Sequence, residues 1–322
     1  MASAEYHLVT DFDGVWTDPT REFHAIMETL GRELARLSGR PEAEVLSLLQ
    51  KVQDRVFKQP EKFGWRIHDH LTSYVDEDYF AIPAALGQFM EQSQEAPFAE
   101  LGQAVLGENP SMTAFMDEVY HGTCRRFRKT VDHDLAHGAE HVLRWLLRHQ
   151  VRVTFVTNAP PEKIIDWFAH HDLPVLDARQ EDADEVGLRV YGRAGKQWLG
   201  DPDLGLELNG RFVRTDRPQY REILERECPD MVIGDVLSLD LAQPLGMRVA
   251  GHPAAPQDVA IIRKPYTPAW VLQSLGPEAH NVDFQVHHVT SLPRILTESY
   301  RRLQASRDSH PAPPQQAAGG PL

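Results

Sequence analysis

Three short apolar runs, far apart in the chain, each stop on residues fit for chemistry, and this pattern narrows the possible folds more than anything else in the sequence. The first, His7-Leu8-Val9-Thr10, ends on Asp11-Phe12-Asp13-Gly14. The second, Val151 to Val156, ends on Thr157-Asn158, and the third, Met231-Val232-Ile233, ends on Gly234-Asp235 with Asp240 close behind. Near-continuous β-branched and aromatic runs suit strands covered by helices on both faces, as in a parallel sheet. Asp and Gly form strands poorly and mark where such strands end, and open α/β sheets bind ligands outside those carboxyl ends. The expected fold class is therefore α/β: a Rossmann-like parallel sheet flanked by helices, with three strand ends converging on one crevice. Asp-x-Asp-Gly alone is equally consistent with a surface turn; the two later segments favour a site.

In this order the segments resemble the haloacid dehalogenase superfamily. Its first motif, Asp-x-Asp-x-[Thr/Val] after a hydrophobic strand, corresponds to Asp11-Phe12-Asp13-Gly14-Val15. The second, a strand ending in Thr or Ser, corresponds to Thr157 with Asn158 behind it. The fourth, in the form Gly-Asp-x-x-x-x-Asp, corresponds to Gly234, Asp235 and Asp240. The third is a Lys or Arg upstream of the fourth. Arg217, opening a helix-like stretch from Gln219 to Glu227, is the chosen candidate by spacing; Lys is more usual there, and Lys196 competes.

Two carboxylates about 4 Å apart repel by roughly 4 kcal/mol at an effective dielectric of 20, so Asp11, Asp13, Asp235 and Asp240 cannot all ionise in one crevice unaided. Hard oxygen donors without clustered Cys or His favour Mg2+ as the cofactor that relieves them. The resemblance implies metal ligation by Asp11, the backbone carbonyl of Asp13 and Asp235, with Asp240 as a ligand or as the group that orients one. Asp11 is then the nucleophile toward phosphorus, forming an aspartyl-phosphate that water hydrolyses. Asp13 is the proton carrier, crowded by neighbouring carboxylates, and Thr157, Asn158 and Arg217 or Lys196 hold the phosphoryl oxygens. In the superfamily, an Asp two residues after the nucleophile accompanies phosphatases and phosphomutases. The implied activity is a magnesium-dependent phosphatase acting on a small phosphorylated metabolite. A phosphomutase, a phosphonatase using Lys51, Lys58 or Lys62 as a Schiff-base lysine, and a non-catalytic binding module are the alternatives.

Composition removes several competitors. The 322 residues suffice for about two domains, and the formal net charge of -14 without a long basic run argues against a general nucleic-acid grip. The two cysteines, Cys124 and Cys228, are too far apart in sequence to suggest a disulfide framework and fit a reducing, cytoplasmic setting. The first strand begins too early to leave room for a signal peptide, and no apolar run is long enough to span a membrane.

The first two motifs are separated by far more chain than one crossover helix needs. Residues 19–133 are therefore expected to form a domain of their own, and the resemblance makes it a helical cap. Ile26, Met27, Leu30, Leu34 and Leu37 recur at helical spacing; Val45 to Val56, Phe80 to Met90 and Met112 to Phe127 continue the pattern. The catalytic core is assigned to 1–18 and 134–303, with an Asn209-Gly210 hairpin just before Arg217, a last strand at Val282 to Val286 and a closing helix at Leu292 to Leu303. Residues 304–322 read as a disordered tail.

Other features have plainer explanations. His137 and His141 share a helical metal-pair spacing but lack an acidic third ligand. His68-Asp69-His70 and Asp132-His133-Asp134 read mainly as surface or hinge residues. The basic cluster Arg125, Arg126, Arg128 and Lys129 reads as a solvated helix face, with contact to a substrate anion as the minority alternative. Trp16 and Trp65 read as core or hinge packing.

Overall fold

A computed structural model describes residues 6–131, 133–179 and 187–309. Seven parallel strands form the central sheet: β1 (His7–Thr10), β4 (Arg152–Val156), β5 (Val175–Asp177), β6 (Leu188–Tyr191), β9 (Met231–Gly234), β10 (Asp258–Ile262) and β11 (Phe284–Val286). Their order is β11-β10-β9-β1-β4-β6-β5, so the chain leaves β1 in one direction and later returns to its other side at β9. That reversal creates a crevice at the carboxyl ends of β1, β4 and β9, where all three apolar runs finish.

Side-chain alternation explains why the runs are apolar throughout. Leu8, Val153, Phe155, Met231, Ile233, Ala260 and Ile262 enter one core with α6 (Ala139–Arg148), α7 (Pro161–Ala169) and α11 (Leu292–Ser309). Val9, Val156, Val232, Val259 and Ile261 enter a second core with α8 (Pro218–Glu227) and α9 (Ala242–Val249). With both faces covered, both parities are mainly apolar, and buried polar exceptions such as His7, Thr154 and Arg189 are hydrogen-bonded to one another or to Glu227. A short helix, α10 (Ala269–Leu272), and a hairpin of β7 (Gly205–Leu208) with β8 (Arg211–Arg214) complete this part.

The segment between β1 and β4 has a hydrophobic core of its own. It comprises α1 (Thr20–Ser38), α2 (Glu42–Val56), α3 (Ala81–Gln92), α4 (Ala96–Glu108) and α5 (Met112–Arg128). It is not wholly helical: β2 (Gly64–Ile67) and β3 (His70–Tyr74) pair as a hairpin whose turn residues His68 and Asp69 both have positive φ, 46° and 66°. A tight turn of that hand matches strand twist, so His68-Asp69-His70 is a hairpin tip rather than a hinge.

The last helix also differs from expectation. It continues to Ser309, past the tail boundary placed at 304, while residues 310–322, and Asp132, lie outside the described residues. No helix among the described residues is long and apolar enough to cross a membrane.

Candidate active site

Glycine lets the first and third strand ends meet. Gly14 has φ +79°, and a Cβ there would lie 2.1 Å from Asp235 Oδ2. A Cβ on Gly234 would lie 2.2 Å from the Cβ of Asp240, so the chain after β9 can fold back only over a hydrogen. The Leu237–Leu241 segment then turns once as π-helix, and one carboxylate oxygen from each of Asp11, Asp235 and Asp240 falls within 4.8 Å of the others.

Lys196 sits inside this group. Its Nζ donates to Asp11 Oδ1 at 2.5 Å and to Asp240 Oδ1 at 2.6 Å, with the ammonium buried. It reaches there from the loop after β6, where Asn158 Oδ1 accepts from the Lys196 amide at 2.9 Å. Thr157, also buried, lines the same cavity, and its Oγ1 accepts from the Ala159 amide at 3.1 Å.

Burial dominates the electrostatics. It pushes Asp11 up to about 7 despite the opposing pull of Lys196, with Asp240 and Asp13 adding to the rise. Burial likewise raises Asp235 well above the carboxylate range, reinforced by Asp240. Burial disfavours the Lys196 ammonium, but Asp11 and Asp240 outweigh it and hold the residue above its ordinary value.

The donor set fits a hard divalent cation. Among the described residues, Asp235 Oδ2 accepts only from the neutral Tyr266 hydroxyl, at 3.0 Å, so a cation between Asp235 and Asp11 would supply counter-charge. Asp240 is otherwise engaged: Oδ2 accepts from the amides of Asp235 at 3.1 Å and Val236 at 3.0 Å, while Oδ1 takes Lys196. Its geometry is that of the group that orients the loop, one of the two roles expected for it.

Two expectations change. Arg217 is fully buried and does not line the cavity; its guanidinium donates to the carbonyls of Lys196, Thr72, Ser238 and Arg214. A planar fork surrounded by carbonyls is a structural clamp, so the cation beside Asp11 is Lys196 rather than Arg217. Asp13 has a cation partner as well as the neighbouring carboxylates that were expected. Lys163 Nζ donates to its two oxygens at 2.9 and 3.1 Å and to Glu22 Oε2 at 3.0 Å.

Lys163, Glu22, Asp78 and Tyr266 were not singled out from sequence. The one available signal was position: Lys163 lies in the first turn of the helix after Thr157, where a side chain can face the crevice. Trp16 is buried and donates from Nε1 to Thr10 Oγ1, whereas Trp65 lines the cavity and donates to Asp78. His137, His141, Lys51, Lys58 and Lys62 do not line it.

The cavity itself, about 1410 Å³, is walled by the strand ends on one side and by α3, α5 and the β2–β3 hairpin on the other.

No family model and no curated protein matches the chain. Among solved structures, one described as the HAD-hydrolase YfnB of Bacillus subtilis bound to magnesium shares 12% identity at a TM-score of 0.43, covering 92% of this chain and 100% of its own. A HAD phosphatase from Thermococcus onnurineus shares 13% at 0.43, covering 90% and 97%. A 2-haloacid dehalogenase from Pseudomonas syringae shares 15% at 0.38, covering 91% and 99%. These structures differ in their own activities, and a likeness at this level assigns none of them to this chain.

Proposed function

We propose that the protein is a magnesium-dependent phosphatase that hydrolyses a small phosphorylated metabolite through an aspartyl-phosphate. The observation that carries this reading is the placement of Lys196 between Asp11 and Asp240, with Asp235 in the same cluster, at the carboxyl ends of three parallel strands. A carboxylate, a fixed cation and an all-oxygen metal site in one pocket suit phosphoryl transfer, which is chiefly positioning and charge stabilisation.

In this mechanism an Asp11 oxygen bonds to phosphorus as the ester P–O bond breaks, and Asp13 passes a proton to the departing oxygen. Asp13 then takes a proton from water, whose oxygen bonds to phosphorus as the Asp11–phosphorus bond breaks, releasing phosphate and restoring Asp11. Lys196 and the Thr157 hydroxyl stabilise the equatorial oxygens. Magnesium, when bound beside Asp11 and Asp235, supplies the remaining charge compensation. The helical wall over the strand ends limits access to small molecules and excludes water.

The test is phosphate release from p-nitrophenyl phosphate with and without magnesium, in the wild type and in Asp11→Asn. Metal-dependent release that disappears in the variant is expected. Turnover retained by Asp11→Asn would falsify the nucleophile assignment.

A further inference from the structure

The cations that line the cavity divide into two groups. Lys196 is paired with Asp11 and Asp240, Lys163 with Asp13 and Glu22, and Arg193 with Glu162 at 3.5 Å; Arg66 donates to the carbonyls of Lys62 and Asp69. Arg125 and Arg128 also line the cavity, yet neither has a carboxylate or hydrogen-bond partner among the described residues. They are three residues apart on α5 and therefore share a face. Arg126 in the same last helical turn, and Lys129 at the helix cap, do not line the cavity. The favourable helix dipole at that end acts on all of them and does not explain why two border the cavity.

Position along α5 sets the distance scale. Cys124 lies beside Glu22, and Arg125 and Arg128 follow it within about 6 Å of helix. The unpaired guanidiniums thus border the same cavity as Asp11, Lys196 and Asp235.

Resting on the phosphatase reading, we propose that Arg125 and Arg128 bind a second anionic group of the substrate, so that the substrate class is a short phosphate monoester carrying a carboxylate or a second phosphate. Guanidinium forks suit either anion through bidentate hydrogen bonds. A neutral-tailed ester would leave both cations without a partner, and discrimination would follow from that difference.

The experiment compares kcat/KM for matched esters: 3-phosphoglycerate against glycerol 3-phosphate for the carboxylate, and glucose 1,6-bisphosphate against glucose 6-phosphate for the second phosphate. At least one pair is expected to favour the second anion ten-fold or more in the wild type, and the favoured pair names the anion. That ratio should fall at least ten-fold in Arg125→Gln/Arg128→Gln and hold in Arg126→Gln/Lys129→Gln. Ratios near one in both pairs, or a ratio the first double variant leaves unchanged, overturn the proposal. If no ester is hydrolysed, the phosphatase reading fails on its own, and calorimetric titration of the same pairs with magnesium decides the anion site by the same ratios of affinity.

Discussion

Gly14 and Asp235 approach so closely that a methyl group on the first would lie 2.1 Å from a carboxylate oxygen of the second. The two loops close into one acidic corner because position 14 has no side chain and holds φ +79°. Gly14→Ala should therefore cost about 1–2 kcal/mol for the left-handed backbone alone, and further energy for displacing Asp235. The expected result is a lower melting temperature together with weaker magnesium stabilisation. A melting curve and a magnesium titration indistinguishable from wild type would refute the account.

Lys196 and Arg217 should separate cleanly. Lys196→Met leaves Asp11 and Asp240 buried without their cation, a loss of roughly 3–5 kcal/mol for breaking one side of a buried ion group, and phosphate release should vanish with it. Arg217→Lys should instead lower the melting temperature, because an ammonium cannot reach all the carbonyls the guanidinium serves, while KM measured well below the transition changes less than about two-fold. A KM that rises steeply in Arg217→Lys would restore that residue as a substrate ligand.

The Lys163 pair with Glu22 joins α7 to α1, and both side chains are buried. In a double-mutant cycle, Lys163→Met and Glu22→Gln should each destabilise, and the double variant should lose less than the sum of the two, with a coupling of about 1–3 kcal/mol. Additive losses in chemical denaturation would mean the contact contributes nothing to stability.

Buried acid groups in the site, with Glu77 bonded to Ser238 behind it, give a signed dependence on pH. Burial raises Asp11 to about 7, Glu77 to about 7 and Asp78 to about 6, all above their unfolded values. The folded state therefore binds protons more tightly than the unfolded one across roughly pH 4 to 7. Without divalent metal, stability contributed by these groups is complete at the acid end of that window and is lost as pH rises toward 7. Magnesium needs the ionised carboxylates, so the stabilisation it adds should grow over the same interval. Melting temperatures across pH 5 to 8, with magnesium and with chelator, measure both slopes; a metal effect that shrinks as pH rises contradicts the assignment.

Asp11, Thr157, Asp235 and Asp240 were legible because each ends or follows an apolar run, and strand ends of a parallel sheet have a known relation to ligands. The choice between Arg217 and Lys196 was not legible. Spacing along the chain favoured Arg217, but the packing of α8 turns it away from the cavity, while Gly195 at φ +67° lets the neighbouring loop bring Lys196 inward. The β2–β3 hairpin escaped notice because its strands are short and the turn residues, His68 and Asp69, are not the glycine that usually marks such a turn. Tyr266 lies in a loop without periodicity, so only coordinates connect it to Asp235.

Local order is thus written in the sequence: where each strand stops, which faces are apolar, and which acids stand at the ends. Tertiary structure decided which cation meets those acids and which arginines of α5 face the cavity. The reason is range. Periodicity and turn chemistry act over a few residues, whereas the direction of a loop side chain is set by packing against elements that are remote along the chain.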